Sequence, residues 1–258
     1  MAGRGRACQR AGLKYGMPII LAIETSSELA SCALLRDGTV LARSSSGVRT
    51  HSQSVLPMIQ ELLAEAGIAL KDCDAIAFGS GPGSFTGVRT ACGIAQGLAF
   101  GASLPVVPVV TLDAMALACR QQTGAADVLA VLDARMGEVY WAQYQFDGAA
   151  DAAPRAVLAP ALSAPQAVAP QGAVTACGNG FAAYALALAG KDFAAGAHAA
   201  VMPHAAQIAQ LAAIAYAAGA TVSAADAQPL YLRNKIAYTQ AERREMATAA
   251  AAKAEAGA

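Results

Sequence analysis

Residues 21–38 read LAIETSSELASCALLRDG, and residues 129–148 read LAVLDARMGEVYWAQYQFDG. Each stretch is an apolar strand ending in an acid (Glu24, Asp133), then a short turn, a second strand and an Asp-Gly pair. A second echo follows: AFGSG (77–81) and ACGNG (176–180) are both strands running into a G-x-G. Self-similarity of this kind is explained economically by a duplication, so two similar lobes are expected.

Around the first copy, PIILAIETS, SCALLRD and TVLARSSS form a three-strand meander, with Asp37-Gly38 as the tight turn. Val55, Ile59, Leu62, Leu63 and Ala66 fall at helical spacing, which predicts a helix from near Ser54 that holds Pro57 in its first turn and ends at Gly67. AIAFGSG reads as a buried strand, residues 85–100 as a second helix and LPVVPVV as another strand. The order βββαβαβ implies an α/β fold with helices on a mixed sheet. The Pro- and Ala-rich interval 150–173 reads as surface connection and edge strand, and 205–219 as a helix. The expected division is an N-terminal extension (1–16), lobe I (17–110), lobe II (111–227), a C-terminal return segment (228–238) and a low-complexity tail that frays (239–258).

The composition excludes several function classes. Its 18 basic and 18 acidic residues cancel, so no global field draws the chain to nucleic acid or an anionic membrane. Aromatics make up 5% and do not cluster with Lys or Arg, which argues against a single-strand stacking platform. The six cysteines never form C-x-x-C and sit mostly in apolar stretches, as in a reduced, cytoplasmic chain. Residues 1–16 carry Arg4, Arg6, Arg10 and Lys14 but no apolar run behind them, so they are not read as a secretory signal. No segment is apolar for long enough to span a bilayer.

The stretch 77–101 carries seven glycines: Gly79, Gly81, Gly83, Gly87, Gly93, Gly97 and Gly101. It holds no Gly-Lys pair, and G-x-G-x-x-G fails because Gly79-x-Gly81 leads to Ser84 and Gly81-x-Gly83 to Thr86. A helix start with free N–H groups could still receive an anion, although a plain tight turn is the simpler reading. Gly93, Gly97 and Gly101 recur at four-residue spacing, each interior glycine costing on the order of 1 kcal/mol relative to alanine. They share one face, open to close approach by the chain's own sheet or by another helix. Glu24 and Asp133 are candidates to face a cleft between the lobes and hold a hydrated metal or polarise water, capping or solvation being the plainer role. His51, His198 and His204 are too scattered for a histidine metal site. Arg233, Lys235, Arg243 and Arg244, interleaved with acids, read as a solvated face.

ILAIETSSELASCALL (20–35), GSGPGSFTGVRT (79–90), LDARMGEVYWAQY (132–144) and PLYLRNKIA (229–237) together resemble the bacterial tRNA threonylcarbamoyladenosine biosynthesis family TsaB (YeaZ-like), over about residues 17–238. The resemblance implies two tandem ribonuclease-H-like lobes of the actin-like/heat-shock-chaperone ATPase fold. It also implies a noncatalytic subunit that pairs with a catalytic paralogue, TsaD, with TsaE as a separate ATPase, tRNA reached only through the complex, and a homodimer as the form open to the isolated chain. No metal and no tightly bound cofactor are implied, only weak ATP or ADP at the partner interface. The partner surface implied lies on the helices at 54–66 and 85–100, with Val55, Ile59, Leu62, Gly87, Arg89, Thr90, Gly93 and Gly97; Glu24, Thr25, Asp133 and Arg135 are the nucleotide or cleft residues. The catalytic paralogue's pattern P-V-H-H-M-E-G-H reads PVVTLDAM here, so Thr111 and Met115 stand where its two ligand histidines would. The competing expectation is an actin-fold ATP-dependent phosphotransferase or ATPase using Glu24 and Asp133.

Overall fold

A computed structural model describes residues 17–46, 51–148 and 153–233. The first motif forms β1 (Ile20–Glu24), β2 (Ala30–Arg36) and β3 (Thr39–Ser45), a meander of antiparallel neighbours. Asp37 and Gly38 turn it with φ of 51° and 77°, as a two-residue hairpin turn requires. Helix α1 (His51–Ala66) leads to β4 (Ala75–Gly81), and α2 (Phe85–Ala102) to β5 (Val106–Val110). Both strands run parallel to their neighbours, giving the sheet order β3-β2-β1-β4-β5. β1 and β4 are covered on both faces, which is why they read as unbroken apolar runs.

The second motif forms β6 (Asp127–Arg135), β7 (Glu138–Gln145), β8 (Arg155–Ser163) and, further on, β9 (Thr175–Cys177). Their order β8-β7-β6-β9, with β9 alone parallel, repeats that of β3-β2-β1-β4. Helix α3 (Thr111–Thr123) precedes this sheet; the short α4 (Gly180–Ala183), α5 (Ala185–Leu188) and the longer α6 (Ala205–Ala217) follow it.

Strand alternation divides the core. From β1, Leu21 and Ile23 pack with Val55, Ile59, Leu62, Ala91 and Ala95 under α1 and α2, while Ile20 and Ala22 join the layer between the sheets. That middle layer is filled by α3 (Leu112, Met115, Ala116, Cys119) and α6 (Ile208, Ala209, Ala212). Leu129, Val131 and Val139 face Phe181 and Leu188 on the far side of the second sheet.

Several elements differ from the expectation. Helix α1 starts at His51, so Pro57 lies inside the helix, on its exposed side, rather than in its first turn. No element is expected over 111–123 from the sequence pattern, yet α3 forms there and is buried along most of its length; Asp113 in its first turn and left-handed Gly124 (φ 74°) after its end are its signals. Helix α6, grouped by sequence with residues 111–227, packs on the first sheet, and Val222 pairs with Val106 there. The expectations for residues 1–16 and 239–258, and for Lys235, Arg243 and Arg244, lie outside the described residues. Among the described residues no helix is long and apolar enough to cross a membrane.

Asp113 enters this middle layer beside Tyr144. Burial pushes its carboxyl up to about 6, and the Tyr144 hydroxyl offsets part of that. The folded chain then holds a proton that the unfolded chain releases near pH 4, so stability falls as pH rises from about 4 to about 6. Two pKa units correspond to about 3 kcal/mol. Buried Glu24, also raised by desolvation, adds to the same slope. Urea unfolding of Asp113→Asn should show the Asp113 share of that pH dependence gone, with Glu24's remaining, and higher stability at pH 7.5; an unchanged slope would mean Asp113 is ionised in the folded chain.

Candidate functional site

A cleft of about 430 Å³ opens between the two sheets. One wall is the β1–β2 turn (Ser26, Ser27, Glu28) and the start of α2 (Gly83, Ser84, Phe85); the other is the β6–β7 turn (Asp133 to Met136) with Asn179. Leu230 to Arg233 border it as well. The β6–β7 turn is tight, with Arg135, Met136 and Gly137 all at positive φ (63°, 58° and 78°). Asp133 braces it: its Oδ1 accepts from the Arg135 amide at 2.7 Å and from the Tyr184 hydroxyl at 2.9 Å, and its Oδ2 pairs with Arg135 Nη1 at 3.2 Å. The Asp133 amide in turn donates to Asn179 Oδ1 at 2.9 Å. Asp133 and Arg135 thus line the cleft, with both carboxylate oxygens of Asp133 already engaged.

Glu24 and Thr25 do not line it. Glu24 is fully buried, accepts from the Ser26 amide, and has its second oxygen against Gly79 with no hydrogen-bond partner among the described residues. Burial raises its pKa, which favours the neutral acid. Such a group neither holds a hydrated metal nor polarises cleft water, and the paired-acid reading of Glu24 with Asp133 is corrected accordingly. Thr25 is also buried, its hydroxyl donating to the Gly87 carbonyl at 2.7 Å.

These contacts explain the first half of the glycine-rich stretch. A Cβ on Gly79 would stand 1.8 Å from Glu24 Oε2, one on Gly83 2.6 Å from Ser26 Cβ, and one on Gly87 1.9 Å from the Thr25 carbonyl oxygen. Glycine here lets the β1–β2 turn lie directly on β4 and α2. Gly87, expected on the partner surface, is instead an internal contact.

The second half behaves differently. A Cβ on Gly93, Gly97 or Gly101 meets nothing within 4 Å, so among the described residues they pack against no part of their own chain. Gly93 and Gly97 are exposed, with exposed Phe100 at the end of α2 and Leu56 exposed on neighbouring α1. Val55, Ile59 and Leu62 point the other way, into the core, so as a partner surface they are corrected: the solvent side of α1 is carried by Leu56, Pro57 and Gln60. Helical spacing marks an apolar stripe but gives no sign that the stripe faces the chain's own sheet. Thr90 bonds back to the Thr86 carbonyl at 2.9 Å. Arg89, exposed, lies 3.5 Å over the Phe85 ring and donates to the Tyr231 hydroxyl at 2.7 Å.

Thr111 and Met115 are fully buried. The Thr111 hydroxyl accepts from the Gly81 amide at 3.1 Å, and the Met115 methyl packs where a Cβ on Gly178 would be, 2.5 Å away. Among the described residues no three His, Cys, Asp or Glu side chains gather as a metal site. Arg233, read as solvated, is largely buried (14% exposed) and pairs with Glu138 at 2.7 Å while donating to the Ala134 carbonyl at 3.0 Å. Nothing in its spacing signalled that.

The sheet order, with a parallel β4 beside an antiparallel meander, and a second sheet repeating it around a cleft, fits an actin-like, ribonuclease-H-like α/β protein. A family model described as TsaD, tRNA N6-adenosine threonylcarbamoyltransferase, matches residues 40–252. The tRNA threonylcarbamoyladenosine biosynthesis protein TsaB of Escherichia coli is 42% identical over 85% of this chain and 96% of its own length; that of Haemophilus influenzae is 39% identical over 88% and 98%. Among solved structures, YeaZ from Pseudomonas aeruginosa superposes with a TM-score of 0.76 at 41% identity, covering 84% of this chain and all of its own. A second structure from that organism, described as an uncharacterized protein with similarity to peptidase YeaZ, gives 0.77 at 40%. The chain belongs to the TsaB (YeaZ-like) family.

Proposed function

We infer that this chain is a noncatalytic subunit in tRNA threonylcarbamoyladenosine biosynthesis, built as two tandem ribonuclease-H-like lobes and pairing with a TsaD-type catalytic paralogue. The pathway is the one named for its relatives. The observation that carries the noncatalytic role is the pair Thr111 and Met115, sealed in the core where a catalytic paralogue would place histidines. The partner docks on the outer face of α1 and α2, with Gly93 and Gly97 as the close-approach ridge and Leu56 and Phe100 as apolar anchors. A TsaE-type ATPase joins that assembly, weak ATP or ADP binds at the partner interface, and tRNA is met through the complex in the cytoplasm. Without its partner the same face serves a homodimer.

The test is to mix the chain with its TsaD-type paralogue and measure stoichiometry and threonylcarbamoyl transfer with and without it. Transfer should require a one-to-one complex. The isolated chain should release no phosphate from ATP above background and hold no stoichiometric Fe or Zn. Asp133→Asn should lower transfer only as far as it lowers stability or assembly, since Asp133 braces a turn. Lost turnover with assembly and melting temperature intact would give Asp133 a chemical role and end the noncatalytic reading.

A further inference from the structure

Two-lobed proteins commonly close on a ligand that bridges both walls of the cleft. Here the chain itself supplies the bridge. On the first-sheet side, the Leu230 amide donates to the Ser80 carbonyl at 2.7 Å, and Tyr231 is held by the Arg89 guanidinium and by the Phe85 ring, 6.1 Å centroid to centroid. Two residues later, Arg233 grips the β6–β7 turn through Glu138 and the Ala134 carbonyl. Arg135, on that same turn, reaches back across to Glu28 on the β1–β2 turn at 3.0 Å.

These contacts are of unequal weight. Arg135 and Glu28 are 71% and 62% exposed, and an ion pair so solvated restrains little. Arg233 is mostly buried with its donors satisfied from one turn, and its loss would leave polar groups of that turn unpaired.

The charges argue in the same direction. Among the described residues, those lining the cleft are Glu28, Asp133, Arg135 and Arg233, which sum to zero, and each is paired within the chain. A polyphosphate entering the cleft would have to compete with the buried Arg233–Glu138 pair and the Asp133 carboxylate, and would meet no unpaired cation among the described lining residues. The cleft therefore does not fit the metal-bound nucleotide that an actin-like fold suggests.

The geometry points to the strap Leu230–Arg233, assisted by Arg135, as a built-in bridging group that holds the mouth of the cleft at fixed width in place of a bound ligand. This concerns the isolated chain and does not depend on the partner face. It is tested by measuring the distance between nitroxides on Thr86→Cys and Leu186→Cys, exposed positions on the first- and second-sheet sides, in a Cys8→Ser background diluted with excess unlabelled chain so that only pairs within one chain are read. The native strap should give one narrow distance distribution, unmoved by excess Mg·ATP. The double variant Tyr231→Ala with Arg233→Gln should lose that narrow distribution while keeping its far-UV circular dichroism. If it does not fold, Arg233→Lys, which keeps the charge but not the planar fork, makes the same comparison. A distribution equally narrow in the folded strap variant, or one shifted by Mg·ATP in the native chain, overturns the proposal.

Discussion

Replacing Gly97 by valine should weaken association with a TsaD-type partner by about one to two decades and leave the isolated chain no less stable. A branched side chain on a helix ridge that meets another helix overpacks the contact by about 1–3 kcal/mol, and each 1.4 kcal/mol is tenfold in affinity. Among the described residues the same substitution meets open space, since nothing lies within 4 Å of a Cβ there. Removing an interior helical glycine also relieves a propensity penalty of a few tenths of a kcal/mol for valine and up to about 1 kcal/mol for alanine. Thermal unfolding of the isolated chain and titration calorimetry with the partner separate the two effects. Unchanged affinity in the valine variant would show that this ridge is not the docking face.

The opposite sign is expected ten residues earlier in the same helix. Gly87→Ala should destabilise the chain by about 3 kcal/mol or more, the upper end of overpacking costs, because its Cβ would stand 1.9 Å from a backbone carbonyl that cannot swing aside. For a chain of this size that lowers the melting temperature by about 6–12 °C. Gly93→Ala, in the same helix but facing solvent, is the matched control and should raise stability slightly. Equal melting temperatures for the two variants would mean that the β1–β2 turn does not lie on α2 as described.

Local order carried much of the fold. Both strand–turn–strand units were visible because a strand has a short period and its hairpin needs residues tolerant of positive φ, which Asp37-Gly38 supply. The stripe of Val55, Ile59 and Leu62 was likewise legible as a helix. Helix α3 was missed: in the middle layer it is covered on nearly every side, so polar residues do not mark an outer face and its 3.6-residue pattern is faint.

The candidate site was less legible because it depends on which way side chains face. An apolar stripe looks alike in sequence whether it packs on its own sheet or on a partner, and Val55, Ile59 and Leu62 proved to be the former. Glu24 and Asp133 end equivalent strands, yet one is sealed beneath Gly79 and the other borders the cleft. The seven glycines divide in the same way between an internal contact and an open ridge.

By itself, then, the sequence determined the duplicated α/β pattern and the family resemblance, because these are matters of residue type and spacing along the chain; that Thr111 and Met115 stand where a catalytic paralogue has histidines is what that resemblance implies. Only the tertiary structure decided that Glu24 is sealed beneath Gly79, where burial favours its neutral form, that Gly87 is packed against Thr25 while Gly97 faces open space, and that Arg233 clasps the second sheet. Burial and pairing arise between segments distant in sequence, here as far apart as Ser31 and Ala205, and no local pattern encodes them.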